Sequence, residues 1–203
     1  MAQNQVQRAG GLVVAAGGIG NTQLADEFYP RYSEAALAKL TYTAYAATVA
    51  TSLPATATIG LTIWNPPGSG VRCALTKWTS NIVATSATCT GIGLAASYQT
   101  TTPTSVTAAT ATGSTFINQS ALNAGQAKAY NIATVLVIPV VIAVLHHNTA
   151  AINTVGAEQM SGDLEGHVVL DQGGLVCFTA FGAAAAASAH TMSMMWIEIP
   201  IGS

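Results

Sequence analysis

Residues 61–83 read "LTIWNPPGSGVRCALTKWTSNIV". An alternating apolar run stops at Asn65. Pro66, Pro67, Gly68 and Gly70 follow, and a second apolar and β-branched run begins at Val71. Alternation marks a strand with one face on a core. Proline cannot continue a hydrogen-bonded ladder, and glycine supplies the φ values of a sharp corner. The stretch is therefore two strands joined at a corner, with Trp64 capping the end of a core. It is not an active site.

From about residue 41 the chain is rich in Thr, Ala, Val and Ile, punctuated by Gly, Pro and Asn. Thr and the β-branched residues suit pleated strands better than helices. Strands are predicted at 41–50, 58–65, 71–84, 87–96, 131–146, 167–171, 174–181 and 191–200. The run "IATVLVIPVVIAVL" (132–145) reads as a buried strand pair or one bent strand. Segments 97–130 and 146–166 read as long loops, the first with short strands inside it. "GAAAAASA" (182–189) has helical propensity but suits a hairpin connection equally well. In "TMSMMWIEIPI" (191–201) both alternating sets are largely apolar, as expected of a strand covered on two sides. Many strands with turn punctuation predict a mainly β fold, an antiparallel β-sandwich or jelly roll over 41–203.

The first 40 residues differ in composition. "MAQNQVQRAGGLVVAAGGIGN" superficially resembles a signal peptide, but its apolar part is short and broken by glycines, so an extended N-terminal arm is expected. "ADEFYPRYSEAALAKL" (25–40) then groups charges with aromatics. Ser33 can cap a short helix over "SEAALAKL", with Glu34 and Lys39 at the ends that suit the macrodipole. Residues 1–40 are expected to dock onto neighbours. Phe28, Tyr29 and Tyr32 are the candidate anchors, because aromatics dominate interface hot spots. Trp196, on the doubly apolar last strand, is the fourth candidate, for a subunit interface or the core adjoining it.

Only 7% of the 203 residues are charged, against roughly 25% in an ordinary soluble domain, and half are apolar. Few charges remain to keep copies apart, which favours self-assembly. The net charge is −2 and the six Lys and Arg are scattered, so a nucleic-acid partner is not expected. No apolar run reaches the roughly 20 residues of a membrane-spanning helix, and no membrane partner is expected.

Residues that could carry chemistry are few. Cys73, Cys89 and Cys177 form no CxxC pair and read as small buried hydrophobes. "GGIGN" (17–21) lacks the strand, helix and later acid of a dinucleotide fingerprint, and "NPPGSGVR" lacks the GK[ST] of a phosphate loop. His146 and His147 are adjacent and point to opposite faces of a strand. With His167 and His190 they read as surface or interface histidines. The sharper alternative is an ion held on a trimer axis by one histidine per subunit. Glu158, Asp163, Glu165 and Asp171 lack calcium-loop spacing and read as a solvated acidic loop. Neither catalysis, a cofactor nor a resident metal is expected.

Three pieces together, "DEFYPRYSEAAL", "LTIWNPPGSGVRCAL" and "LDQGGLVCFTAF…MSMMWIEIPI", resemble a group of small virion proteins of tailed bacteriophages. In the third, a Gly-Gly hairpin precedes a Trp-Ile-Glu-Ile-Pro terminal strand. The resemblance covers about half the chain and is one of pattern. It implies a β-sandwich or jelly roll, often trimeric, on the outside of a phage particle. The expected protein is a capsid decoration (cement) protein, with its own copies and the major capsid or another virion protein as partners. A tail, neck or fibre component and a carbohydrate- or receptor-binding module are the alternatives.

Overall fold

The computed structural model describes residues 4–7, 13–16, 40–49, 55–85, 89–108, 110–113, 125–152, 159–181 and 188–202. Among these residues the chain is all strand and turn, with no helix. Strands β1 (Asn4–Gln7) and β2 (Val13–Ala16) pair antiparallel as a separate ribbon. This adds pairing to what the sequence suggested was only an extended arm. Val6 and Val14 are register partners. The expected helix over 33–40 falls, apart from Leu40, outside the described residues.

The remaining strands form two antiparallel sheets. They are β3 (Thr41–Val49), β4 (Ala57–Trp64), β5 (Val71–Thr85), β6 (Cys89–Tyr98), β7 (Thr104–Ala108) and β8 (Thr110–Gly113), then β9 (Lys128–Thr134), β10 (Val140–Ile152), β11 (Gln159–Leu170), β12 (Gly174–Phe181) and β13 (Ser188–Pro200). One sheet has the order β10-β6-β12-β4-β9-β7, the other β11-β5-β13-β3-β8.

Setting aside β7 to β9, the pairs β3–β13, β4–β12, β5–β11 and β6–β10 are nested in the sequence. They are successive segments of one long antiparallel ribbon. Successive segments alternate between the sheets, and the rolled ribbon adds the lateral pairs β13–β5 and β12–β6. A ribbon wound on itself in this way is a jelly roll. Strands β7 to β9 are an insertion between β6 and β10, and they lengthen both sheets at the β3 and β4 side.

The core lies between the sheets and follows strand parity. Leu61, Ile63, Leu75, Trp78, Phe178 and Met194 belong to it, all nearly or fully buried. Burying each such side chain contributes roughly 1.5–3 kcal/mol. Trp78 meets the edge of Phe178 at 6.4 Å between centroids, and Tyr42 stacks on Trp196 at 5.9 Å. A smaller cluster of Trp64, Tyr130, Ala133, Val135 and Leu175 is separate from this core. Leu175 and Trp64 alternate along their strands with the core residues Val176 and Ile63, so the six-stranded sheet is buried on both faces here.

The opening stretch is one side of a ribbon corner. Asn65 is fully buried. Its Nδ2 donates to Val71 O at 2.9 Å and Leu170 O at 3.2 Å. Its backbone N–H donates to Gly174 O, and its carbonyl accepts from Gly173 N at 2.7 Å. Asn65 therefore ties the 65–70 bend to the 171–173 bend on the other side of the ribbon. Gly68 and Gly70 take φ values of 77° and 73°, which a side chain would strain.

The structure corrects four expectations. The apolar run 132–145 is split between β9 and β10, and much of its β10 part is exposed rather than buried. Most of 146–166 is strand, because β10 continues to Ile152 and β11 starts at Gln159. Polar residues on the outer face of an edge strand hid that pattern. The Gly173–Gly174 bend is not a hairpin, since β11 and β12 lie in different sheets. Nor do β12 and β13 pair, since they lie in different sheets.

Candidate functional site

Segment 136–144 carries the largest concentration of exposed apolar side chains among the described residues. Leu136 is 76% exposed, Val140 68% and Val144 61%, and Val137, Ile138, Val141 and Ile142 are exposed as well. The bend before β10 is anchored where Leu136 N donates to Gln99 Oε1 at 3.0 Å, and Pro139 is buried. Among the described residues, strand β10 ends its sheet and pairs only with β6. Its register shifts between Val141 and Ala143 and again between Val144 and His146. Such bulges twist a strand and re-aim its side chains outward.

The edge at the corresponding end of the other sheet is built differently. Along β11, Ser161, Asp163, Glu165 and His167 are exposed while Gly162, Leu164, Gly166 and Val168 are half-buried. Asp163 Oδ1 accepts from Glu165 N at 2.9 Å, and Glu165 takes a positive φ of 52°. Charges and a kink on an edge strand discourage pairing with other chains. The described acids of the expected acidic loop thus belong to a solvated strand edge and its neighbouring corner, where Asp171 pairs with Arg72 at 3.1 Å. Among the described residues, no three metal-ligating side chains gather.

Glu198 is the one buried carboxylate among the described residues. It shares parity on β13 with Met192, Met194 and Trp196, so it faces the core. Its Oε2 accepts from Gln126 N at 2.9 Å, and its Oε1 from Ala127 N at 2.9 Å and Trp196 Nε1 at 3.3 Å. Gly125 lies so close that a Cβ there would collide with the carboxylate and come within 3.0 Å of the Tyr42 ring. Burial raises the Tyr42 hydroxyl pKa, and the charges of Glu198 and Cys73 raise it further. Burial first and Glu198 second raise the Cys73 thiol. With its oxygens spent on backbone and indole N–H groups, the carboxylate is a pin holding the start of β9 to the end of β13. It is not placed as an acid or base for a substrate.

Of the predicted interface residues, Phe28, Tyr29 and Tyr32 lie outside the described residues. Trp196 is 1% exposed and packs in the core of the chain itself. On the other face of β13, Met195 and Ile197 are half-buried and Ile199 is exposed. Cys73 and Cys177 are free and buried, and burial pushes the Cys177 thiol up to about 12. Neither offers a thiolate nucleophile.

The histidines divide. His167 is exposed, with Nε2 4.0 Å from Glu165 Oε2, and His146 is half-buried on β10. His190 is fully buried, which corrects its expected surface or interface position. Its Nδ1 is 3.3 Å from Ser80 Oγ, and its Nε2 has no hydrogen-bond partner. Burial lowers its pKa from 6.5 to about 4. Below pH 6.5 the unfolded chain therefore binds a proton that the native state refuses. Stability is expected to fall from pH 6.5 toward pH 4 by on the order of 3 kcal/mol from this group. Urea midpoints at pH 7 and 4.5 should differ less in His190→Gln than in the wild type. An equal midpoint difference in the two proteins would contradict the assignment.

Sequence reasoning missed Asn65, Glu198 and the exposure of 136–144. Glu198 had a readable signal: it sits in phase with three apolar residues of its strand, and a carboxylate on a core face requires donors.

These features define a two-sheet jelly roll with one apolar, uncharged edge. Comparison with protein-family models, with curated proteins and with solved structures found no match.

Proposed function

We propose that this chain is a non-enzymatic structural protein of a bacteriophage virion. In this reading it is a capsid decoration protein that forms a homo-oligomer, expected to be a trimer, and reinforces the lattice of the major capsid protein. The observation that carries the reading is the exposed aliphatic segment 136–144 on a jelly roll with 7% charged residues. A surface of this kind is a liability on an isolated monomer and an asset in an assembly. Jelly rolls recur in viral capsids, and also in lectins, so the fold supports the class without deciding between them. Many copies on a lattice add modest contacts into strong reinforcement. Residues 1–40, with Phe28, Tyr29 and Tyr32, are the proposed capsid anchor.

The test is cosedimentation with undecorated capsids from the same source, using the full chain and a chain lacking residues 1–40. The full chain is expected to pellet with capsids and the shortened chain to stay in solution. Failure of both to bind would overturn decoration and direct attention to tail, neck or fibre assembly.

One observation favours a second reading, a carbohydrate-binding module. Tyr98 is 61% exposed, and its ring packs so closely on Gly173 that a Cβ there would lie 2.7 Å from it. Gln172 and Asp171 adjoin Gly173 in sequence. A propped aromatic beside polar residues suits stacking on a sugar ring. Glycan binding without capsids, abolished by Tyr98→Ala, would establish this alternative.

A further inference from the structure

We infer that segment 136–144 is the surface through which this chain meets its own copies, side chain against side chain across a symmetry axis. The inference deepens the assembly reading above and rests on its self-association part, not on capsid binding.

The exposed aliphatic groups from Leu136 to Val144 present on the order of 500 Å², near the upper end of the ~300–600 Å² typical of a monomer's largest patch. Half-buried Ala143, Leu145 and His146 flank them. The whole approaches the ~800 Å² per partner that a stable interface buries.

The segment is also uncharged. Between Lys128 and Glu158 the sequence holds no Lys, Arg, Asp or Glu. A partner for this surface must itself be apolar and free of charge, and a second copy brings such a surface by symmetry. Strand β11 differs. That edge carries Asp163 and Glu165 on its exposed face, whereas β10 carries Val140, Ile142 and Val144 exposed without a single gatekeeper. One fold has protected one edge and left the other apolar, which is the expected arrangement if only the second is covered in the working assembly.

The form of the contact follows from the bulges. Three register shifts within β10, the third between His147 and Ile152, interrupt the regular spacing of backbone groups that strand addition needs. Extension of the sheet into a neighbour is disfavoured, and the aliphatic side chains make the contact. The result is a closed oligomer rather than an open stack of sheets.

The experiment is sedimentation velocity of the full chain between about 1 and 100 µM, beside Val140→Asp/Val144→Asp and the control Val169→Asp on the exposed face of β11. The wild type and the control are expected to sediment as oligomers. The double variant should associate at least about a hundredfold more weakly, because each carboxylate would be buried without a partner. Val140→Ser/Val144→Ser, which adds no charge, should weaken association by a smaller factor while retaining the wild-type melting profile. A monomeric wild type, an oligomer unaffected by either double variant, or equal dissociation in the β11 control would overturn the inference. An oligomer that ignores capsids would leave it standing and remove decoration alone. A monomer that binds capsids would do the reverse.

Discussion

Replacing Glu198 with alanine is expected to destabilise the fold by about 3–5 kcal/mol, read as a lower urea midpoint with an unchanged slope. The carboxylate is 3% exposed and takes the N–H groups of Gln126, Ala127 and the Trp196 indole. Alanine would leave two buried donors, Ala127 N and Trp196 Nε1, and the part-buried Gln126 N–H without their acceptor, and a void beside the Tyr42–Trp196 stack. Glu198→Gln keeps the shape but turns an amide NH2 toward a backbone donor, so a loss of about 1–3 kcal/mol is expected. The damage should begin at the insertion. Proteolysis within 99–134 is expected to accelerate before global unfolding, because the pinned residues start β9. A variant as stable as the wild type would show that the pin contributes nothing.

Asn65 is the second position of large effect. Its amide donates to the carbonyls of Val71 and Leu170, one on each side of the ribbon corner. Asn65→Ala removes both bonds and is expected to cost about 2–3 kcal/mol. Asn65→Asp preserves the shape yet sets a buried carboxylate against two carbonyl oxygens, so it should cost more than alanine at neutral pH. That inverted order, with the isosteric change the worse of the two, separates a hydrogen-bonding role from simple space filling. Thermal melts of the two variants at pH 7 decide it. Equal losses would mean that Asn65 only fills the corner.

The strands that the sequence revealed most clearly are those with one apolar face and marked ends. Strand β12 was expected at 174–181 and occupies Gly174–Phe181, and β5 was expected at 71–84 and occupies Val71–Thr85. Alternation and flanking glycine or proline are local signals, and local signals survive in one dimension. Pairing does not. The Asp171–Gly174 bend has hairpin composition, yet Asn65, over 100 residues away in the chain, sets it as a sheet-to-sheet corner. Hydrophobicity alone also misplaced β10, since a strand buried in a core and an apolar strand exposed at a sheet edge read alike. The polar first half of β11 looked like loop because only one of its faces touches protein. Of the candidate interface, the uncharged run was visible in the sequence, but its exposure became visible only once β10 ended a sheet.

Amide hydrogen exchange of the intact wild-type chain across a dilution series reads contact at the β10 surface residue by residue. If the β10 surface meets its own copies, amides of residues 136–146 should be protected at high concentration and lose that protection on dilution. Amides of β11 should exchange at the same rate throughout. Concentration-independent exchange over 136–146, or a concentration effect confined to β11, would contradict the account.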